Sequence, residues 1–204
     1  MIIVNFKNVK EGKEVLGFAR EMDGLGVVVV VPSANIKEVS EGTGLEVFSQ
    51  HVDGFNDEEG FLGVKATKGA GASGTLLNHN DHPISLDEIK KAVKECHGEG
   101  LKVVVCVKDL EMVGELKELE VFAIAYEIPE LIGTKDPITN YPDKVESFVK
   151  MFDGSKVDPL CGAGVNSRED VEKAGELGCK GVLVSSAVMK AEDPREVLEG
   201  MIGK

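Results

Sequence analysis

Apolar residues along this chain follow two alternating patterns. Short runs dense in valine, isoleucine, leucine and small residues occupy positions 2–6, 26–31, 46–49, 74–77, 102–106, 121–125, 157–160 and 181–184. Their length and β-branched content predict eight strands. Between them, apolar residues recur every three or four positions. Val15, Leu16, Phe18 and Ala19 do so over 11–21, Leu86, Ile89, Ala92 and Val93 over 85–97, and Leu110, Val113 and Leu116 over 109–118. Val145, Phe148, Val149 and Phe152 continue the pattern over 142–152, Val171, Ala174 and Leu177 over 167–177, and Val197, Leu198 and Met201 over 193–202. This spacing predicts helices that bury one face. Ser85 with Glu88 and Ser167 with Asp170 have the spacing of a capping box, and Asp193-Pro194 sets a cap before a helix-start proline.

Strands alternating with helices imply a parallel sheet with right-handed crossovers. Eight such units point to an α/β fold of one domain spanning residues 1–204, a closed (β/α)8 barrel. The third unit is short. Between Gln50 and Ser73 stand glycines, acids and the run Gly69-Ala70-Gly71-Ala72, with little room for a full helix. At 204 residues the chain is also below the length of about 250 usual for such barrels. A doubly wound open sheet is the alternative, but it calls for a glycine-rich turn after strand one, where this chain has Asn5-Phe6-Lys7-Asn8.

Composition narrows the function classes. Hydrophobic residues are 42% and charged residues 29%, ordinary for a soluble globular domain. No apolar stretch is long enough to cross a bilayer, and the N-terminus begins at once as a strand rather than as a secretory signal. Cys96, Cys106, Cys161 and Cys179 are scattered with no C-x-x-C pair, which fits a reducing, cytoplasmic setting without a disulfide framework. The net charge of −13 argues against nucleic acid and anionic membranes as partners. It also means that any anionic substrate needs a locally positive site.

In a barrel, chemistry sits where strands end. Those ends carry Asn5-Phe6-Lys7, Gln50-His51, Asn78-His79-Asn80-Asp81, Glu127, Cys161-Gly162-Ala163-Gly164 and Ser185-Ser186-Ala187. Glu127 follows a strand and precedes a segment bracketed by Pro129, Gly133 and Pro137. That arrangement suits a general base beside a lid with bendable ends, although a solvated glutamate in an ordinary loop has the same local pattern. His79-Asn80-Asp81-His82 can be read as a metal pair, but no third ligand is evident and His82 precedes a proline, so no metal and no cofactor are expected.

Together these motifs resemble the triosephosphate isomerase family, in its short archaeal form. The resemblance rests on Asn5-Phe6-Lys7, on Gly74 through His79, on Glu127 through Thr134, on Leu160 through Gly164, and on Gly181 through Ser186 followed by Lys190-Ala191-Glu192-Asp193-Pro194. All occur in family order from the first strand to the last. The resemblance implies a TIM barrel that isomerises glyceraldehyde 3-phosphate and dihydroxyacetone phosphate through an enediol(ate), in glycolysis and gluconeogenesis, as a cytoplasmic homodimer or homotetramer. It implies Glu127 as the base, His79 as the electrophile at the carbonyl oxygen, Lys7 as a cation at the developing charge and Asn5 as its neighbour. The phosphate contacts it implies are Ile132 and Gly133 from a lid over 128–135, with Gly164, Ser185 and Ser186. On this reading aligned amides and one lysine, Lys7, hold the dianion.

The chain departs from the family at several points. Ile128 stands where a proline is usual, which predicts a looser hinge. Asn80 and Asp81 replace the usual serine and glutamate, and the shorter carboxylate is expected to reach Lys7 less well. Phe61-Leu62-Gly63 stands near the usual intersubunit loop, and Ala187 replaces a glycine. Two alternatives stay open from the residues: another phosphate-binding barrel, such as a lyase or an isomerase of a larger sugar phosphate, and a degenerate barrel kept as a binding or scaffold protein.

Overall fold

The computed structural model describes residues 1–54 and 59–204. It is a closed barrel of parallel strands in sequential order, sealed by pairing of the first strand with the last through Ile3 opposite Leu183. The strands are β1 (Ile2–Asn5), β2 (Val28–Val31), β3 (Glu46–Ser49), β4 (Gly74–Leu77), β5 (Lys102–Val107), β6 (Ala123–Glu127), β7 (Asp158–Gly162) and β8 (Gly181–Val184). The helices are α1 (Glu14–Arg20), α2 (Ile36–Gly42), α3 (Val64–Gly69), α4 (Leu86–Gly98), α5 (Val113–Leu116), α6 (Pro142–Lys150), α7 (Arg168–Glu176), α8 (Ser186–Met189) and α9 (Pro194–Ile202).

Side-chain alternation along each strand builds two cores. Ile3, Val28, Val30, Phe48, Leu76, Val104, Cys106, Ala123, Ala125, Leu160 and Leu183 fill the barrel interior. The intervening residues, among them Val4, Val29, Val103, Val105, Ile124 and Tyr126, join Ile89, Val93, Val145, Phe148 and Leu198 of the helices in the outer layer. Both faces of every strand are therefore covered, which is why the strands read as continuous apolar runs.

Several expected boundaries move. Strand six runs to Glu127 rather than ending at Ala125, because Val121 and Phe122 precede the ladder and the strand continues past the apolar run. Strand seven extends through Gly162, paired with Glu127. Helix α2 is an addition, a seven-residue helix burying only Ile36 and Val39, too brief a stripe to stand out as a period. The fifth helix shrinks to four residues. The third unit holds a six-residue helix, α3, as its shortness foretold; part of that unit, residues 55–58, lies outside the described residues.

Both capping boxes form. The Glu88 N–H donates to Ser85 Oγ (3.3 Å) while the Ser85 N–H donates to Glu88 Oε2 (2.7 Å), and Ser167 and Asp170 repeat the arrangement. Asp193 accepts from the Glu196 N–H at 2.9 Å and starts α9.

Candidate active site

Strand phase decides which side chains face the barrel mouth. On β6, Ala123 and Ala125 point inward, so Glu127 does too, one layer higher. On β1 the inward phase of Ile3 carries on to Asn5. Lys7 follows in left-handed conformation (φ 47°), with its N–H donating to Asn5 Oδ1 (2.9 Å) and its carbonyl accepting from Gln50 Nε2 (2.6 Å). Asn78, at the end of β4, is also left-handed (φ 57°). Its side-chain amide donates to the Cys106 carbonyl and its Oδ1 accepts from the Ile84 N–H. That turn breaks the strand alternation and brings the next residue, His79, to the cavity wall. Among non-glycine residues positive φ is rare, and among the described residues it occurs at two positions, both beside one pocket.

The cavity, of about 200 Å³, is lined by Asn5, Lys7, His79, Glu127, Ile132, Gly133, Ser185 and Ser186. Thus the side chains expected from four strand ends and the lid converge on one space. Gly164 stands beside this wall rather than on it; Ala163 takes the lining position. The reason is steric. Gly164 has φ 72°, and a Cβ there would lie 2.0 Å from the Asp136 carbonyl oxygen. The glycine lets β7's exit loop pass directly under the C-terminal base of the lid. Asn166 ties the same junction, donating to the Gly164 carbonyl and, at 3.3 Å, to that of Lys135.

Glu127 is 7% exposed, and its Oε2 has no hydrogen-bond partner among the described residues. Burial pushes its carboxyl up from 4.5 to about 7, against the opposing pull of Lys7 and a hydrogen bond with the Cys106 thiol. Gly162 leaves space for it: a Cβ there would stand 3.2 Å from Glu127 Oε1. The Glu127 Oε2 lies 3.6 Å from His79 Nε2. The Asp81 N–H donates to His79 Nδ1 at 3.1 Å. A nitrogen that accepts carries no proton, so the neutral ring holds its proton on Nε2, facing the cavity. Burial, with Lys7 nearby, moves the His79 pKa down and keeps the ring neutral.

Lys7 Nζ meets Asp81 Oδ2 at 2.9 Å, so the shorter carboxylate does reach its partner, contrary to expectation. The Asp81 carboxyl is held below its ordinary range chiefly by that hydrogen bond. The left-handed turn at Lys7 brings the ammonium toward the β4 loop, which makes up for the missing methylene. Ile128, at the hinge where the usual proline is absent, is anchored on both sides in this conformation. It is buried in the outer core, and its carbonyl accepts from the Leu131 N–H at 3.0 Å. At the other end of the lid, Asp136 accepts from Tyr141 Oη (2.7 Å) and Asn140 Nδ2 (2.8 Å). Between these anchors Gly133 (φ 80°) has open space about it.

A family model described as triosephosphate isomerase matches residues 1–201. The chain belongs to the triosephosphate isomerase family. A triosephosphate isomerase of Methanothermus fervidus is 35% identical over 99% of this chain and 97% of its own length. One of Sulfolobus acidocaldarius is 36% identical over 99% of this chain and 93% of its own. The crystal structure of triosephosphate isomerase from Bartonella henselae superposes with a TM-score of 0.74, covering 100% of this chain and 98% of that one; at 19% identity it speaks to the fold, the TIM barrel.

Two residues at the candidate site were given no role from the sequence, although Lys190 stands in one of the motifs quoted there. Cys106, one residue before the end of β5, shares the inward phase of Val104 and touches the Glu127 carboxylate; its position at the end of the apolar run was the available signal. Lys190 lines the cavity beyond α8, and it is the lysine that follows the serine pair after β8.

Proposed function

We propose that this chain interconverts D-glyceraldehyde 3-phosphate and dihydroxyacetone phosphate, with Glu127, His79 and Lys7 as its catalytic residues. The observation that carries this reading is the facing pair at the barrel mouth: Glu127 Oε2 lies 3.6 Å from His79 Nε2, with one group a carboxylate poised near neutrality and the other a neutral donor. A triose needs both. The carboxylate takes a proton from the carbon beside the carbonyl, and its raised pKa matches the thermodynamic demand of that step at neutral pH. The His79 Nε2–H donates to the carbonyl oxygen as charge builds there, and Lys7 adds a positive field at the same end. Glu127 then delivers its proton to the former carbonyl carbon, whose oxygen has become a hydroxyl, while the hydroxyl on the adjacent carbon gives up its proton through His79 to leave the new carbonyl; the same steps reversed run the other direction.

The phosphate would lie at the opposite end, between Ser185 and Ser186 after β8 and Ile132 and Gly133 of the lid. In support, the Gly133 N–H makes no hydrogen bond among the described residues, and residues this small allow close approach of backbone donors. Closure of the 128–135 segment would exclude water and protect the enediol(ate). The same reading takes the protein as a cytoplasmic homodimer or homotetramer. Free cysteines throughout and the 47% exposed Phe61 of the third unit support it, and analytical ultracentrifugation tests the assembly.

Purified protein given glyceraldehyde 3-phosphate, with dihydroxyacetone phosphate read by a coupled reductase, tests the activity. Turnover is expected. Folded protein that is inert with the triose phosphates, or prefers a longer sugar phosphate in a substrate panel, overturns the reading.

A further inference from the structure

We propose that Lys190 is a second cation of this site, one that captures the substrate by its phosphate; this rests on the triose phosphate reading above. The need for it comes from the charges already placed. The protein carries −13 overall, and the substrate is a dianion. Lys7 is committed to Asp81 at 2.9 Å, and Glu127 must be ionised to act as a base. The inner end of the cavity is therefore net negative in the working enzyme, and Lys7 alone does not offset a phosphate.

Lys190 lines the same cavity, on the side of Ser185 and Ser186. Its N–H donates to the Ser186 carbonyl at 3.2 Å, which fixes its backbone one turn beyond the serine pair. Its side chain is exposed, and no carboxylate pairs with it among the described residues. The nearest acids in sequence lie at a different groove. Glu192 and Asp193 line a separate groove with Lys10, and Asp193 caps α9. Lys190 is thus an uncompensated positive charge at the rim, on the phosphate side of the cavity. An exposed lysine in such a place steers an anion inward and then contacts it, and a charge-assisted contact of this kind is worth about tenfold in affinity.

The test compares the wild-type enzyme with Lys190→Gln and Lys190→Arg at low and high salt, using glyceraldehyde 3-phosphate, phosphate-free glyceraldehyde and inorganic phosphate as a competitive inhibitor. For Lys190→Gln the expected result is a KM about tenfold higher for the phosphorylated substrate, a much smaller change in kcat, and a weaker inhibition constant for phosphate. The salt dependence of kcat/KM flattens, and Lys190→Arg restores most of the loss. The loss with glyceraldehyde 3-phosphate exceeds that with glyceraldehyde by about the same factor of ten. Equal losses on both substrates, or wild-type kinetics and salt dependence in Lys190→Gln, overturn the proposal. Inactivity of the wild-type enzyme itself would instead overturn the triose phosphate reading, so the two failures are distinct.

Discussion

Replacing Glu127 with glutamine should stabilise the protein, and only where the carboxylate is ionised. The wild-type carboxyl is buried without a partner for Oε2, and its pKa is raised from 4.5 to about 7. A raised carboxyl pKa means that the folded state holds the proton more tightly than the unfolded state. Stability is therefore fully retained below about 4.5, falls as pH rises through the window from 4.5 to about 7, and stays low above it. The interval corresponds to roughly 3 kcal/mol at about 1.4 kcal/mol per pH unit. Glutamine has nearly the same shape and cannot ionise. Any constant cost of burying its amide cancels when two pH values are compared. Urea unfolding of both proteins at pH 5 and pH 8.5 should show the variant gaining on the wild type by about 2–3 kcal/mol between the two. For a chain of this size that corresponds to a relative shift in Tm of several degrees. A stability difference that is the same at both pH values would refute the reasoning, because Glu127 would then be no more desolvated in the fold than in the unfolded chain.

Other consequences can be measured together. In the free enzyme kcat/KM should rise with pH through about 7 as Glu127 ionises, and a rise centred near the ordinary carboxylate range would contradict its burial. Cys106→Ala removes the thiol that donates to Glu127, so this limb should move to higher pH, while the buried cavity costs about 1 kcal/mol in denaturant unfolding; Cys106→Ser, which keeps a donor, should shift the limb less. Gly164→Ala puts a Cβ 2.0 Å from the Asp136 carbonyl at positive φ, and it should cost about 1–3 kcal/mol and lower turnover by displacing the lid's base. Asp81→Asn breaks the pair with Lys7, but the Asp81 side chain is largely exposed, so stability should change by less than about 1 kcal/mol.

Much of this architecture was legible because local and global signals agree. The β-branched runs and the Ser85 and Ser167 boxes each report their own element, and the barrel follows from their alternation. The Glu127 region was harder. A charged residue after an apolar run reads as a loop, whereas β6 continues through it, since Ala123, Ala125 and Glu127 share one inward phase and the ladder to β7 reaches Gly162. Helix α2 was missed because two buried residues make too short a stripe.

The candidate site residues were legible as strand ends, but their partners were not. That Asp81 reaches Lys7 depends on left-handed backbone at Lys7 and Asn78, which neither residue type announces. That Gly164 serves the base of the lid depends on a carbonyl distant in sequence. Cys106 reads as one more small apolar residue of a strand. Its role becomes visible only when β5 and β6 are set side by side, with Cys106 opposite Ala125, two residues before the carboxylate.

The central claim is that Glu127 carries a proton between adjacent carbons of a triose phosphate. It is tested most directly by turnover of glyceraldehyde 3-phosphate in deuterium oxide, with the product read by NMR, for the wild-type enzyme beside Glu127→Gln. The account predicts wild-type conversion with solvent deuterium at the carbon that receives the proton, and a loss of rate in the variant of about 10²–10⁴-fold or more. Conversion by Glu127→Gln at the wild-type rate would contradict it.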